Sequence, residues 1–257
     1  MNFEEWDKWY EEILKDFGFS REDDERTASV LNKLLGNYGS IDIEDLVNNL
    51  HHENAAIHNF KRDKSTIKSF MVFGAGPSLK KDINYIKSRC NIEDPEDYII
   101  IAADGATTGL LEEKIVPDII VTDLDGKIED LMLANDLRSF FVLHAHGNNF
   151  DQILKYTEKI HKVLGTTQSK PFSNLYNFGG FTDGDRAVFL AVALNAKKIV
   201  LAGMDFGKIV SKYSRPDIKD EAALADETKQ KKLQYAEKLI DWVKENKNIE
   251  IINLSKQ

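Results

Sequence analysis

From Lys68 onward the chain repeats one texture: a short apolar run, a stretch with helical spacing, then another apolar run. The runs are SFMVFG (69–74), DYIIIAA (97–103), DIIVTD (118–123), SFFVLHA (139–145), KVLGTTQ (162–168), NLYNFGG (174–180), KKIVLAG (197–203) and IEIINL (249–254). Most are continuously apolar rather than alternating, the pattern of strands buried on both faces. LKKDINYIKSR, ATTGLLEEK, IEDLMLAND, NFDQILKYTEKIH, RAVFLAVALN and ALADETKQKKLQYAEKLIDWVKEN, which lie between them, read as helices. This alternation predicts an α/β fold, a Rossmann-like and mostly parallel sheet with helices on both faces. Ligands of such sheets bind beyond the carboxyl ends of the strands. The residues just past each strand are therefore the place to seek a site.

Residues 1–65 differ in kind. Phe3, Trp6, Tyr10, Ile13, Leu14 and Phe17 recur at helical spacing, and Gly18 comes next as a stop. Ser20 reads as the N-cap of a helix over REDDERTASVLNKLL, with Gly36 past its end, and Asp42 as the cap of a third helix through Leu46, Val47 and Leu50. The division expected is a small helical N-terminal segment over 1–65 and an α/β domain carrying the site over 66–257, joined by the polar HNFKRDKST (58–66). Trp6, Trp9 and Tyr10 suit packing onto the core better than a partner surface.

The strand ends are distinctive. GAGPSL (74–79) comes after the first, where Gly74 and Gly76 allow close backbone approach and Ser78 can cap a helix whose N–H groups attract phosphate. It is neither GxGxxG nor a Walker loop, and a plain strand-to-helix turn fits it as well. Asp104 and Gly105 come after the second strand, Asp123 and Asp125 after the third. Residues i and i+2 of an extended chain point the same way, so Asp123 and Asp125 can reach one ion and Asp104 can join them. Mg²⁺ takes oxygen ligands, a few carboxylates together with substrate phosphates. Asp-Gly is also an ordinary turn dipeptide. Three carboxylates at successive strand ends beside a phosphate-type loop favour metal–nucleotide chemistry.

HAHGNN after the fourth strand carries His144 and His146, which can orient phosphate, move a proton or bind metal, or else be buried and hydrogen-bonded. His51, His52, His58 and His161 read as surface residues. In GGFTDGDRA, Thr182 and Asp185 have capping-box spacing, which leaves Gly180, Asp183 and Arg186 at a helix start near the same edge. AGMDFG places Asp205 likewise. KIVSKYSRPDIKDEAAL reads as a basic mobile loop, with Lys208, Lys212 and Arg215 as a lid over phosphates or as a solvated surface.

A net charge of −9 argues against a nucleic-acid-binding face, but not against an anionic substrate held through a metal. Cys90 is the one cysteine, so no internal disulfide forms. No apolar run approaches the roughly 18–20 residues of a membrane span, and the acidic start lacks a signal-peptide pattern. The expectation is a soluble cytoplasmic protein with no membrane or nucleic-acid partner. Homo-oligomerisation is left open.

Taken in order, GAGPSL (74–79), AADGAT (102–107), PDIIVTDLDG (117–126), HAHGNN (144–149), GGFTDGDRA (179–187) and LAGMDFG (201–207) resemble the archaeal 6-hydroxymethyl-7,8-dihydropterin pyrophosphokinase family. The ADG and TDLDG portions are also similar to thiamin pyrophosphokinases, although there is no room for that family's β-rich second domain. Asn148 stands where the archaeal pattern carries Asp after HAHG, so it is not assigned to metal. The resemblance implies transfer of diphosphate from ATP to a reduced hydroxymethylpterin, releasing AMP, in tetrahydromethanopterin- or folate-type cofactor synthesis. On that reading Asp104, Asp123 and Asp125 hold Mg²⁺. Gly74, Gly76, Ser78, Asp104 and Gly105 hold nucleotide phosphate, and His144 or His146 orients phosphate or assists deprotonation. Asn177 and Asp183 meet the pterin's amino-pyrimidinone edge, Phe181 stacks on its ring or belongs to the core, and Gly180, Arg186 and Asp205 complete the substrate site. Competing readings are a thiamin pyrophosphokinase, a sialyltransferase-like glycosyltransferase using nucleotide sugars, and a nucleotide-binding module without turnover.

Overall fold

The computed structural model describes residues 1–58, 69–89 and 98–256, without the side chains of 51–58. Cys90, His51, His52, His58 and the polar connection after residue 58 fall outside that description. The described strands are β1 (Ser69–Phe73), β2 (Ile99–Ala103), β3 (Ile119–Thr122), β4 (Phe140–Ala145), β5 (Val163–Thr167), β6 (Leu175–Tyr176), β7 (Lys198–Ala202), β8 (Ile209–Ser211), β9 (Ala222–Leu224) and β10 (Glu250–Asn253). The helices are α1 (Phe3–Phe17), α2 (Arg21–Tyr38), α3 (Ile43–His58), α4 (Leu79–Arg89), α5 (Ala106–Glu112), α6 (Ile128–Leu137), α7 (Phe150–Tyr156), α8 (Asp183–Ala193) and α9 (Glu227–Asn246).

One sheet runs β10-β7-β1-β2-β3-β4-β5-β6, and every pairing in it is parallel. The continuous apolar runs result from its two covers. Phe70, Val72, Ile99, Ile101, Ile119 and Val121 face a core shared with α1, α3, α8 and α9. Their sequence neighbours point the other way. Met71, Phe73, Ile100 and Ala102 meet α4 and α5. Ile120, Phe141 and Leu143 meet α2, α6 and α7. The three N-terminal helices are thus divided between the two faces.

Strand order reverses once. The chain lays down β1 to β6 in one direction, then α8 packs back across β1, β2 and β3, and β7 begins on the far side of β1. That reversal opens a crevice at the carboxyl edge between β1 and β7. It also brings the start of α8 to the same edge. Asp185 fixes that start by accepting from Thr182 N (2.8 Å) and Phe181 N (2.6 Å).

Three local expectations are corrected. Gly36 lies inside α2, where open space surrounds it, and the helix ends at Gly39, whose N–H donates to Leu35 O (2.9 Å). The 174–180 run pairs only through Leu175–Tyr176, because Gly179 and Gly180, both at φ +93°, turn the chain out of the sheet. The segment read as a loop contains the antiparallel β8–β9 hairpin. Two of the three cations expected there are paired: Lys212 with Glu221 (2.9 Å) and Arg215 with Asp226.

Candidate active site

One carboxylate oxygen from each of Asp104, Asp123, Asp125 and Asp183 lies within 4.8 Å of the others. Asp104 comes directly after β2, Asp123 and Asp125 come after β3, and Asp183 opens α8. Asp104 extends the sheet by one bond, from its N–H to Val121 O (2.8 Å), and then turns at φ +43°. The Thr122 hydroxyl donates to Asp104 Oδ1 and accepts from Leu124 N (2.8 Å), joining the two strand ends. Leu124 sits at φ +67°, so the chain through Asp123 and Asp125 is not extended. The two carboxylates converge through a left-handed turn, not through the i, i+2 alternation of a strand. Buried Leu124 anchors that turn in the core. Such backbone costs on the order of 1–3 kcal/mol for a non-glycine residue. Gly126 is required next to it, since a Cβ there would overlap Asp104 Oδ2. Gly105 is equally constrained, because a Cβ there would overlap Tyr213 O.

The electrostatics are those of charges crowded without enough compensation. Burial, then the neighbouring carboxylates, pushes Asp104 well above the usual carboxylate range. Burial and Asp123 do the same to Asp183, and both raise Asp125. Asp123 goes the other way: burial opposes its charge, but the hydrogen bond from His146 and the nearby Arg186 hold it below the normal value. A cluster of oxygen donors that repel one another in this way fits a hard divalent cation.

The two histidines have different places. His146 lines the cleft. Its Nδ1 accepts from Asn148 N (3.2 Å), so its proton is on Nε2, which donates to Asp123 Oδ2 (2.9 Å). His144 is buried behind it, 3.0 Å through Nδ1 from Thr166 Oγ1. Burial, Arg186 and His146 push its pKa well down, so it stays neutral. Asn149 clamps the group. Its amide donates to Asp123 O (2.8 Å) and His144 O (2.7 Å), and its carbonyl accepts from His146 N (3.0 Å).

Other expectations are revised by the hydrogen bonds. Gly74, Gly76 and Ser78 do not present free N–H groups: these donate to Ala202 O (2.8 Å), Gly203 O (2.8 Å) and Asp205 Oδ2 (3.0 Å). The Ser78 hydroxyl is shared between Asp82 (2.7 Å) and Asp205 (2.9 Å). Asp205, assigned to substrate, therefore caps the start of α4 while lining the cleft. Asn177 spends its side chain on Gln168 O (3.1 Å), Ser169 O (2.9 Å) and Gly179 N (2.9 Å), and does not line the cleft. Gly180 packs against the Arg186 backbone. Phe181 belongs to an aromatic core with Phe17 (5.2 Å between centroids) and Tyr235 (6.0 Å), with one edge in the cleft. Asp183, expected at a pterin edge, joins the carboxylates and bonds to Arg186 Nη1 (3.1 Å).

The cleft holds about 280 Å³. Part of its wall carries no motif. Asp24, buried in α2, accepts from Tyr10 OH (2.5 Å), Gln168 Nε2 (2.7 Å) and Gly147 N (2.6 Å). Gln168 in turn accepts from Arg186 Nη2 (3.2 Å). Lys229 and Lys232 of α9 line the same cleft as the carboxylates. Gln168 could have been found from its place after β5. Asp24 sits in the charged run REDDER and the lysines in KQKK, which look like solvated helix faces.

Carboxylates gathered at the carboxyl edge of a parallel sheet, in a cleft that cations also line, fit a class: an α/β transferase of the kinase type, which the chain's relatives show it to be. Residues 43–210 match the model of the MptE-like 6-hydroxymethylpterin diphosphokinases, and the chain belongs to that family. It is 47% identical over 251 residues to the 6-hydroxymethyl-7,8-dihydropterin pyrophosphokinase of Methanothermobacter thermautotrophicus, covering 98% of this chain and 99% of that one. It is 43% identical over 259 residues to the protein of the same name from Methanocaldococcus jannaschii, covering 98% and 100%. Among solved structures, the MAf glycosyltransferase of Magnetospirillum magneticum AMB-1 is similar at 17% identity and a TM-score of 0.46, over 82% of this chain and 39% of that one. No described helix is long and apolar enough to cross a membrane.

Proposed function

We propose that this chain transfers diphosphate from ATP to 6-hydroxymethyl-7,8-dihydropterin, with Mg²⁺, releasing AMP. The observation that carries the reading is the convergence of Asp104, Asp123, Asp125 and Asp183 at the sheet edge. The names of the full-length relatives supply the alcohol. The hydroxymethyl oxygen attacks the β-phosphorus of ATP. The bond from that phosphorus to the bridging oxygen breaks, and its electron pair leaves with AMP. Such transfers ask for positioning and charge neutralisation more than for a strong base, so the hydroxyl proton is given up to phosphate or solvent.

The four carboxylates would hold Mg²⁺, which when bound offsets phosphate charge and draws the carboxylates together. The chain does the rest. His146 keeps Asp123 ionised and aimed, and Asn149 fixes both relative to β4. Arg186 holds Asp183 at the cluster. Phe181, with Gln168 and Asp23 also lining the cleft, suits a flat heterocycle with polar rims, while the crevice between β1 and β7 suits the nucleotide.

The test is to incubate the protein with ATP, Mg²⁺ and the reduced hydroxymethylpterin, with thiamin in a parallel arm. AMP and pterin diphosphate should appear in equal amounts. AMP formed only with thiamin, or with neither alcohol, refutes the proposal.

A further inference from the structure

Three cations line the cleft beside the carboxylates: Arg186, Lys229 and Lys232. Arg186 is committed, with Nη1 on Asp183 and Nη2 on Gln168. The lysines are not. Lys231 pairs with Asp16 at 3.1 Å and Lys244 with Asp241 at 2.8 Å, but among the described residues neither Lys229 nor Lys232 forms an ion pair. They stand three residues apart in α9, on one face. Lys232 is half-buried. Its ammonium lies 5.5 Å from the Phe19 ring centre and 5.7 Å from that of Phe181, so the charge rests against aromatic faces at the cleft wall. Burial pushes its pKa down, Asp123 and Asp125 pull it up, and the neighbouring Lys229 and Arg186 add to the lowering.

A half-buried ammonium without a carboxylate partner is unfavourable unless something else completes it. The aromatic faces do so in part. An anion placed between the lysines and the carboxylate cluster would do so fully, and the chemistry that fits there is a chain of phosphates.

Resting on the diphosphate-transfer reading, we propose that Lys232, assisted by Lys229, contacts the phosphate chain of the nucleotide on the side opposite the carboxylates. There it stabilises the charge that passes to AMP as the bridging bond breaks. Three donors on a flexible stem let one ammonium follow the phosphate as it moves from one oxygen to the other.

Lys232→Met keeps the stem and its aromatic packing and removes the charge. Its kcat/KM for ATP should fall about 10- to 100-fold, the loss of one charge-assisted hydrogen bond. Affinity of the nucleotide-free protein for Mn²⁺ should instead rise about twofold or more, because a repelling charge has gone. The melting temperature should hold or rise. Lys229→Met should show the same pattern more weakly. Unchanged kcat/KM beside an active wild type overturns the proposal. So does a loss of activity accompanied by weaker Mn²⁺ binding and a lower melting temperature, the mark of a structural role. If the wild type forms no AMP, the diphosphate-transfer reading fails. The lysines are then judged by Mn²⁺–tripolyphosphate binding, which Lys232→Met must weaken by the same factor for the assignment to stand.

Discussion

Asn149→Ala should be among the most damaging single changes near the site, although Asn149 touches no substrate in the proposed reaction. It is 3% exposed, and its side chain serves three backbone groups: Asp123 O, His144 O and His146 N. Truncation leaves two carbonyls and one N–H unpaired at a place with little access to water. Each such group costs about 1–3 kcal/mol, and water entering the vacated space recovers some of it, so a loss of roughly 3–5 kcal/mol is expected. For a chain of this length that is a fall in melting temperature of about 6–20 °C. Activity should fall further than stability explains, because the clamp sets where Asp123 and His146 stand relative to each other. Asn149→Asp keeps the acceptor for His146 N but turns a carboxylate toward two carbonyls, and should be no better. Asn148→Ala is the control. Its side chain is exposed and only its backbone N–H is used, so stability should change by less than about 0.5 kcal/mol. Thermal and urea melts decide the matter. A loss under about 1 kcal/mol for Asn149→Ala would show that the three hydrogen bonds do not hold the site together.

Asp123→Asn and Asp125→Asn should fold yet lose AMP release by about 10²-fold or more, as expected when charge stabilisation is removed from a transition state. Turnover near wild type in both would remove these carboxylates from the mechanism. His144 gives a pH test: its folded pKa lies well below the ordinary 6.5, so below that pH the unfolded chain takes up a proton that the native state refuses. Native stability should therefore fall by up to about 1.4 kcal/mol per pH unit as pH drops from 6.5 toward 5. The difference between wild type and His144→Asn isolates this contribution, and parallel pH curves for the two would contradict it. Gly105→Ala should cost about 1–3 kcal/mol by pushing the Tyr213 backbone away, seen as a lower melting temperature.

The sheet was legible because strands covered on both faces must be apolar at every position, and β2, β3 and β4 are buried throughout. Asp104, Asp123 and Asp125 could be singled out by one rule, that function lies beyond strand ends. Asp183 could be found as a candidate but not placed, since its position depends on α8 crossing back over β1 to β3, which no local spacing encodes. The glycine loop misled because its residue types suit two arrangements. Only the hydrogen bonds show that Asp205 and Gly203 already occupy its N–H groups. β8 and β9 are three-residue strands rich in charge nearby, and nothing in their period separates them from a loop.

The N-terminal helices bear no motif and still form part of the cleft. Trp6 donates through Nε1 to Gln168 O (2.8 Å), and Asp24 receives Gly147 N and Gln168 Nε2. Trp6, Tyr10, Ile13, Leu31 and Leu35 are each at most 1% exposed, divided between the two faces of the sheet. At about 1.5–3 kcal/mol for each such side chain, their burial contributes on the order of 10 kcal/mol. That equals the whole net stability of an ordinary domain, about 5–15 kcal/mol. A chain beginning at residue 66 would expose those faces and take the Asp24 acceptor away from Gly147 N and Gln168 Nε2. It should therefore fail to give a cooperative melt, and adding residues 1–65 as a separate peptide should restore one if the helices can dock unaided. A cooperative, active 66–257 fragment would mean that the helices only lean on a domain already complete, and that Asp24 has no part in shaping the cleft.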